Sequence, residues 1–358
     1  MENLQTLSGL NLAEIEEALA PLPRFRASQV YKWITRGIDN IDQMTDIPLS
    51  TREDLKSRFR LFSSTVNSVF TDKNASKIVL TLNDGNKIEA VRLCDSKKRL
   101  TCCLSTQAGC PAGCVFCKTG SLGFSRNLDC AEIMEQFYNL RRQAGENPQN
   151  IVIMGMGEPL LNLAELKKAI SIFTDKNGLN FSRRRITVST CGILAGLYEL
   201  TEKGPFIRLA LSLTTADEPL RQKLMPVTRA NPLAKVKEAL AAYQDKSGSR
   251  VTLEVPLLGG INSRSEDAVS IADFAKGMDT VINVIPWNPV AGLEFEGNPL
   301  REPEKQETEN FVSMLEKTGL KVTTRHRKGR KVCGACGQLG VAKDISQRRR
   351  GAEDAGKE

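Results

Sequence analysis

Two periodicities divide the chain. Through residues 1–70 apolar positions recur at helical spacing, as in Leu12-Ala-Glu-Ile-Glu-Glu-Ala-Leu19 and Ser28-Gln-Val-Tyr-Lys-Trp-Ile-Thr35, which predicts short amphipathic helices. Pro21, Pro23 and Pro48 punctuate them, and the polar run from Ser50 to Asp54 reads as the cap of a third helix over 55–61. Two strand-like runs follow. Lys77-Ile-Val-Leu-Thr-Leu82 and Lys87-Ile-Glu-Ala-Val-Arg-Leu93 flank Asn83-Asp-Gly-Asn86, a strong hairpin signal. From Leu100 onward the pattern becomes strand, loop, helix, repeated. Short, apolar, β-branched runs at 100–106, 151–157, 186–190, 208–213, 251–258 and 281–288 read as parallel strands buried on both faces. Helical stretches at 132–144, 164–173, 233–243 and 266–274 lie between them, the first capped by Asp129 with Glu132. The expected fold is therefore α/β, a partial (βα)6 barrel with a small N-terminal helical domain and a β-hairpin extension. Its divisions are 1–70 (helical accessory), 71–98 (hairpin connector), 99–344 (core) and 345–358 (a basic tail read as disordered). A barrel of this kind places its site at the C-terminal strand ends. Gly157-Glu158, Ser189, Ser212 and Asn288 all fall there.

Composition narrows the partners. The 358 residues carry a net charge of +8, an excess that favours a polyanion. Ser182-Arg183-Arg184-Arg185 and the denser Arg325-His326-Arg327-Lys328-Gly329-Arg330-Lys331 concentrate it. Most charge runs are merely solvated surface, yet the second directly precedes two cysteines. No apolar stretch approaches the roughly 20 residues that span a bilayer, and the start shows neither basic n-region nor apolar h-region. We therefore expect a cytoplasmic protein with no membrane partner. Its 10 cysteines then belong to a reducing compartment rather than a disulfide framework.

The chemistry concentrates in Cys110-Pro-Ala-Gly-Cys114-Val-Phe-Cys117. Three thiolates on one short loop suit three corners of a cubic iron–sulfur cluster, leaving one iron open to a small molecule. Electron carriers normally use four cysteines, so three suggest catalysis. Zinc is the competing reading. It is disfavoured because structural zinc sites add a second cysteine pair or histidines, and His326 is the single histidine.

The triplet resembles the radical S-adenosylmethionine superfamily. Ser105-Thr-Gln-Ala-Gly-Cys110, Thr119-Gly-Ser-Leu-Gly-Phe124-Ser-Arg-Asn127, Met154-Gly-Met-Gly-Glu-Pro-Leu-Leu-Asn162, Arg185-Ile-Thr-Val-Ser-Thr190, Leu224-Met-Pro226, Ile285-Pro-Trp-Asn-Pro289 and Ala335-Cys336-Gly-Gln-Leu339 are together similar to the RlmN/Cfr family of RNA adenine methyltransferases. Arg26-Ala-Ser-Gln-Val-Tyr-Lys-Trp-Ile34 and Met44-Thr-Asp-Ile-Pro48 extend the likeness into the N-terminal region. The resemblance implies a 4Fe-4S cluster on Cys110, Cys114 and Cys117, with S-adenosylmethionine as the second cofactor. It further implies that Cys336 is methylated by one S-adenosylmethionine and that a second, cleaved reductively, abstracts hydrogen from that methyl group. The carbon then adds to adenine. Glu89 takes the ring proton, and Cys103 attacks Cys336 to form a transient disulfide and free the product. Gly157, Glu158, Ser189, Ser212, Leu213, Thr214 and Asn288 are implied to bind S-adenosylmethionine.

Cys102 neighbours Cys103 on a predicted strand and must face the opposite side. A basic neighbourhood favours thiolate, so the 325–331 cluster is expected to activate Cys336 while holding phosphate. Gly334 and Gly337 would let its loop move. The expected reaction is methylation of adenine carbon 2 in 23S ribosomal RNA, with transfer RNA as a further substrate and carbon 8 as the variant. The partners implied are RNA and an external electron donor such as flavodoxin or ferredoxin, acting on a monomer. Ser212-Leu213-Thr214-Thr215 departs from the family's Ser-Leu-His, and Cys94, Cys102, Cys191 and Cys333 are not explained by it. The rival of another class is a non-catalytic, metal-containing RNA-binding protein.

Overall fold

The structure, a computed structural model, describes residues 4–324, 329 and 332–340. The tail 345–358 and the 325–331 basic cluster, Gly329 apart, lie outside the described residues. A capping box of Asn11 with Glu14 starts helix α1 (Leu12–Ala18). Helix α2 (Arg24–Arg36) follows Pro23 and ends on Gly37 at φ 81, where a side chain would be strained. The third helix corrects the reading of the sequence. It begins directly after Pro48 and ends before Phe59 (α3, Leu49–Arg58), so Ser50 to Asp54 lie inside it instead of capping it. The fixed φ of proline already sets the helical entry. The predicted end of that helix is a short strand, Phe59–Arg60, paired with Gln5–Thr6.

The rest is built on one 10-stranded sheet whose spatial order follows the chain. Strands β1 (Thr65–Thr71), β2 (Ala75–Thr81), β3 (Lys87–Cys94) and β4 (Leu100–Leu104) are antiparallel. From β4 onward all neighbours are parallel: β5 (Asn150–Ile153), β6 (Ile186–Thr190), β7 (Arg208–Ser212), β8 (Val251–Leu257), β9 (Thr280–Pro286) and β10 (Lys321–Thr324). Crossover helices join them: α4 (Cys130–Ala144), α5 (Leu163–Thr174), α6 (Leu194–Lys203), α7 (Glu218–Leu224), α8 (Leu233–Ser247), α9 (Ser265–Ala275) and α10 (Lys305–Lys317). The parallel portion is thus one strand longer than six. The seventh strand, β10, carries a single apolar residue, Val322, and is largely exposed, so no buried-strand pattern marks it.

Side chains alternate across each strand, and register carries one parity around the lumen. Cys103 sits opposite Val152, which sits opposite Thr187, which sits opposite Arg208. Ser212, Glu254, Asn283 and Thr323 form a second such row. Leu209, Leu211, Val251, Leu253 and Ile282 take the other parity and are buried against the helices. The N-terminal helices are fastened to α4 by buried Glu135. Its carboxylate accepts from Ser8 Oγ (2.9 Å), Ser63 N (2.7 Å) and Ser64 N (2.8 Å). Burial raises the proton affinity of Glu135 and these bonds oppose it. Gly9 lies so close to α4 that a Cβ would run into the Ala131 backbone.

Candidate active site

The three-thiol loop leaves the C-terminal end of β4 and is held from several sides. Gly109 has φ 80, and a Cβ there would collide with the Gly123 carbonyl, the same carbonyl that accepts from Cys110 N (2.8 Å). Val115 N donates to Leu224 O (3.0 Å). Trp287, just past β9, donates through Nε1 to Phe116 O (2.8 Å). Burial is the main force raising all three thiol proton affinities, Cys110 to about 12. For Cys114 the charges of Cys117 and Cys110 add to it. A metal must therefore displace protons on binding. Buried Arg221 acts in the opposite sense on Cys114. Its guanidinium donates to neutral oxygens: Leu213 O (2.9 Å), Ser212 O (3.0 Å), Cys191 O (2.8 Å) and Thr228 Oγ1 (2.7 Å).

Among the described residues no three Cys, His, Asp or Glu side chains converge on one metal ion. A cubane does not require that convergence, because each thiolate takes a different iron. The donor set, three thiols on one anchored loop, fits such a cluster.

The loop carrying Cys336 packs onto the thiol loop. Lys118 N donates to Gly337 O (2.9 Å) and Thr119 Oγ1 to Leu339 O (2.9 Å). Cys336 is close enough to Cys117 for its charge to disfavour the Cys117 thiolate. Asn288 Nδ2 donates to Cys336 O (3.2 Å), and Gln338 Nε2 to Pro289 O (3.1 Å). Gly337 turns at φ 81, as its position on a tight loop demands.

The far side of this loop rests on a buried ion pair. Lys77 Nζ lies 2.9 Å from Glu89 Oε1, with the two residues 0% and 1% exposed. Glu89 Oε2 accepts from Gly340 N (2.5 Å), and Lys77 Nζ donates to Cys333 O (3.4 Å). The pair thus clasps the Cys336 loop at both ends. Replacing Lys77 by methionine leaves Glu89 buried without its cation, and breaking a buried pair costs about 3–5 kcal/mol. Denaturant unfolding of Lys77→Met should show a stability loss of that order, whereas wild-type stability would contradict the clasp.

A cavity of about 1250 Å³ runs through the barrel, and Cys103, Cys336 and Asn288 line it together. Met154, Glu254 and Asn283 line it as well, and the sequence reading missed them. Their signal was a polar or sulfur side chain at a lumen position of an apolar strand. Glu254 accepts from Asn283 Nδ2 (2.6 Å). Among the described residues Asn288 Oδ1 is buried with no hydrogen-bond partner, an acceptor on a cavity-lining residue that a ligand N–H or O–H would satisfy.

The other expected cofactor residues are not in the lining of this cavity, although Ser189 and Ser212 share the lumen-facing parity of Thr187 and Arg208. Glu158 accepts from Leu160 N (3.0 Å), Thr190 Oγ1 (2.7 Å) and Cys191 N (2.8 Å). Gly157, at φ 102, passes so close to Gln107 that a Cβ would clash. Ser189 and Ser212 bring their hydroxyls within 3.2 Å of each other across β6 and β7. Leu213 and Thr214 are wholly buried, and Thr214, at φ 65, donates to Met225 Sδ (3.2 Å).

Four further cysteines lie outside this cavity. Cys102 is fully buried, and burial pushes its thiol up. Cys191 is driven the same way beside Glu158. Cys94 Sγ contacts Asp95 O (3.7 Å), and Cys333 turns the loop at φ 47. Among the described residues no cysteine is in a disulfide.

Comparisons with known proteins bear on this geometry. Residues 104–275 match the profile of the Radical SAM superfamily, and residues 5–61 match that of the ribosomal RNA large subunit methyltransferase N-terminal domain. The chain is 47% identical over 343 residues to the "Probable dual-specificity RNA methyltransferase RlmN" of Treponema denticola, covering 96% of this chain and 97% of that protein. A protein of the same description from Thermus thermophilus is 40% identical over 322 residues, covering 88% and 89%. Among solved structures, a radical SAM methyltransferase from Sphaerobacter thermophilus matches with a TM-score of 0.89 at 34% identity, covering 94% of this chain and 99% of that one.

Proposed function

Because the chain belongs to the RlmN family of radical SAM RNA methyltransferases, we propose that it methylates carbon 2 of an adenosine in 23S ribosomal RNA, and in transfer RNA, through a carbon carried on Cys336. The supporting observation is the placement of Cys336. Its loop is bonded to the thiol loop at Lys118 and Thr119, while Cys336 itself opens into the lumen shared with Cys103.

Carbon 2 of adenine lies between two nitrogens and is electron-poor, so it does not displace a methyl group from a sulfonium. Carbon delivered as a radical does add there. When bound, the 4Fe-4S cluster on Cys110, Cys114 and Cys117 and its S-adenosylmethionine supply the hydrogen-atom abstraction that generates this radical. Cys336 supplies the sulfur that takes the methyl group and then presents it to the base. Covalent catalysis of this kind needs a thiolate nucleophile and a way of releasing the product. Cys103 provides the release: its thiolate attacks the Cys336 sulfur, the S–S bond forms, and the electron pair of the broken C–S bond stays with the product carbon, which takes up a proton. Glu89 accepts the ring proton, and the unpaired electron left by the radical addition passes back to the oxidised cluster, so that Cys103 acts on a closed-shell thioether. Glu89 is clasped beneath the Cys336 loop by Gly340 N and Lys77. Asn288, through Oδ1, and the Ser189–Ser212 hydroxyl pair contact S-adenosylmethionine.

Among the described residues no helix is long and apolar enough to cross a membrane. We place the enzyme in the cytoplasm as a monomer that receives electrons from a flavodoxin- or ferredoxin-like donor. Incubating anaerobically reconstituted enzyme with total RNA and analysing its nucleosides by mass spectrometry should yield 2-methyladenosine. Finding only 8-methyladenosine overturns the position, and finding no methylated adenosine overturns the reading.

A further inference from the structure

Resting on the RNA-methyltransferase reading, we propose that the N-terminal mouth of the barrel grips the RNA phosphodiester backbone while the target adenosine turns into the lumen. Four arginines mark this mouth. Arg183 and Arg184 precede β6, Arg208 opens β7, and Arg250 precedes β8; all four line the lumen cavity. Because these strands are parallel, the four lie at one end of the barrel, opposite the thiol loop that leaves the C-terminal end of β4.

None of the four makes a side-chain hydrogen bond or ion pair among the described residues, and all are exposed. Some cations on the outer helices are paired instead: Lys167 with Glu199 (2.7 Å) and Lys246 with Glu202 (2.9 Å). Uncompensated guanidinium groups around one opening repel one another unless an anion fills the space between them. Neighbouring strands lie about 4.8 Å apart, so the four spread over roughly 10 Å along three strand starts. One carboxylate cannot face that whole span, whereas successive phosphates can. The planar guanidinium fork matches a phosphate and binds it bidentately.

Depth supports the same occupant. Arg208 is four residues from Ser212 at the other end of β7, about 13 Å at strand rise. Enzymes that modify a base take it out of the stack and into a pocket. A nucleotide turned in through this mouth points its base toward Cys103 and Cys336 and leaves its phosphates among the arginines. Phosphate contacts position a nucleic acid without reading its sequence, which suits an enzyme with more than one RNA substrate.

The test is the salt dependence of RNA binding by the full-length enzyme carrying Arg208→Gln and Arg250→Gln together. A hairpin RNA containing the methylated adenosine serves as probe. Each lost phosphate contact should flatten the plot of log affinity against log salt by roughly 0.7–0.9, so the double variant should lose about 1.5 from the slope. It should also bind about tenfold or more weakly near physiological salt. Its thermal midpoint and RNA-free cleavage of S-adenosylmethionine should stay at wild-type values. Wild-type slope and affinity in a folded double variant overturn the proposal. A loss seen only on mutating the exposed cation Lys32 of α2 overturns it too, since the backbone then runs elsewhere. The function reading fails separately, when wild-type enzyme methylates no RNA.

Discussion

Replacing Cys336 by alanine should abolish RNA methylation while leaving the cluster and the reductive cleavage of S-adenosylmethionine in place. The side chain removed is small, and its loop is held by backbone and neighbouring side chains: Lys118 N to Gly337 O, Thr119 Oγ1 to Leu339 O, and Gly340 N to Glu89. The variant should therefore fold and load iron normally. On the proposed route it loses the sulfur that carries carbon. Methylated adenosine is expected to fall by at least roughly 10³-fold, the scale on which loss of a covalent nucleophile acts. Nucleoside mass spectrometry reads the product and release of deoxyadenosine reads the cleavage. Methylation at the wild-type rate would show that carbon reaches the base without Cys336.

Replacing Cys114 by alanine should have the broader effect. It removes one of three thiols on a loop that offers no substitute, and an iron–sulfur cluster depends on thiolate ligands. Reconstituted wild-type protein should bind about four irons per chain, whereas the variant should retain little iron, show no cluster absorbance and cleave no S-adenosylmethionine. The fold should survive, because the loop is fixed by backbone bonds at Cys110 N and Val115 N and by Trp287 to Phe116 O. Full iron content in Cys114→Ala would move the cluster to other ligands. The two variants thus separate radical generation from carbon transfer.

Much of this site was legible because it rests on local rules. Alternation along one strand placed Cys102 and Cys103 on opposite faces, and the structure buries one and brings the other into the lumen. Six of the seven parallel strands showed themselves as apolar runs. What could not be read depends on contacts across long stretches of chain. Glu89 reads as an exposed strand charge, yet a loop 251 residues further on covers it. Lys77 is buried with it for the same reason. Arg221 sits in an unremarkable amphipathic helix, and only the folded barrel surrounds it with the carbonyls of Cys191, Ser212 and Leu213. The start of α3 was misplaced because a run of capping residue types outweighed Pro48 immediately before it. Arg183 and Arg184 stand out as a basic run, but Arg208 and Arg250 lie far from them in sequence, and only parallel pairing brings their strand starts to one end.

The central claim is that carbon travels through Cys336 and loses one hydrogen on the way. Its most direct test is the RNA-methylation assay run with S-adenosylmethionine whose methyl group carries three deuteriums. The account predicts adenosine bearing a methyl group with two deuteriums, and the third recovered in deoxyadenosine. A product retaining all three deuteriums would show direct displacement from the sulfonium and contradict the account.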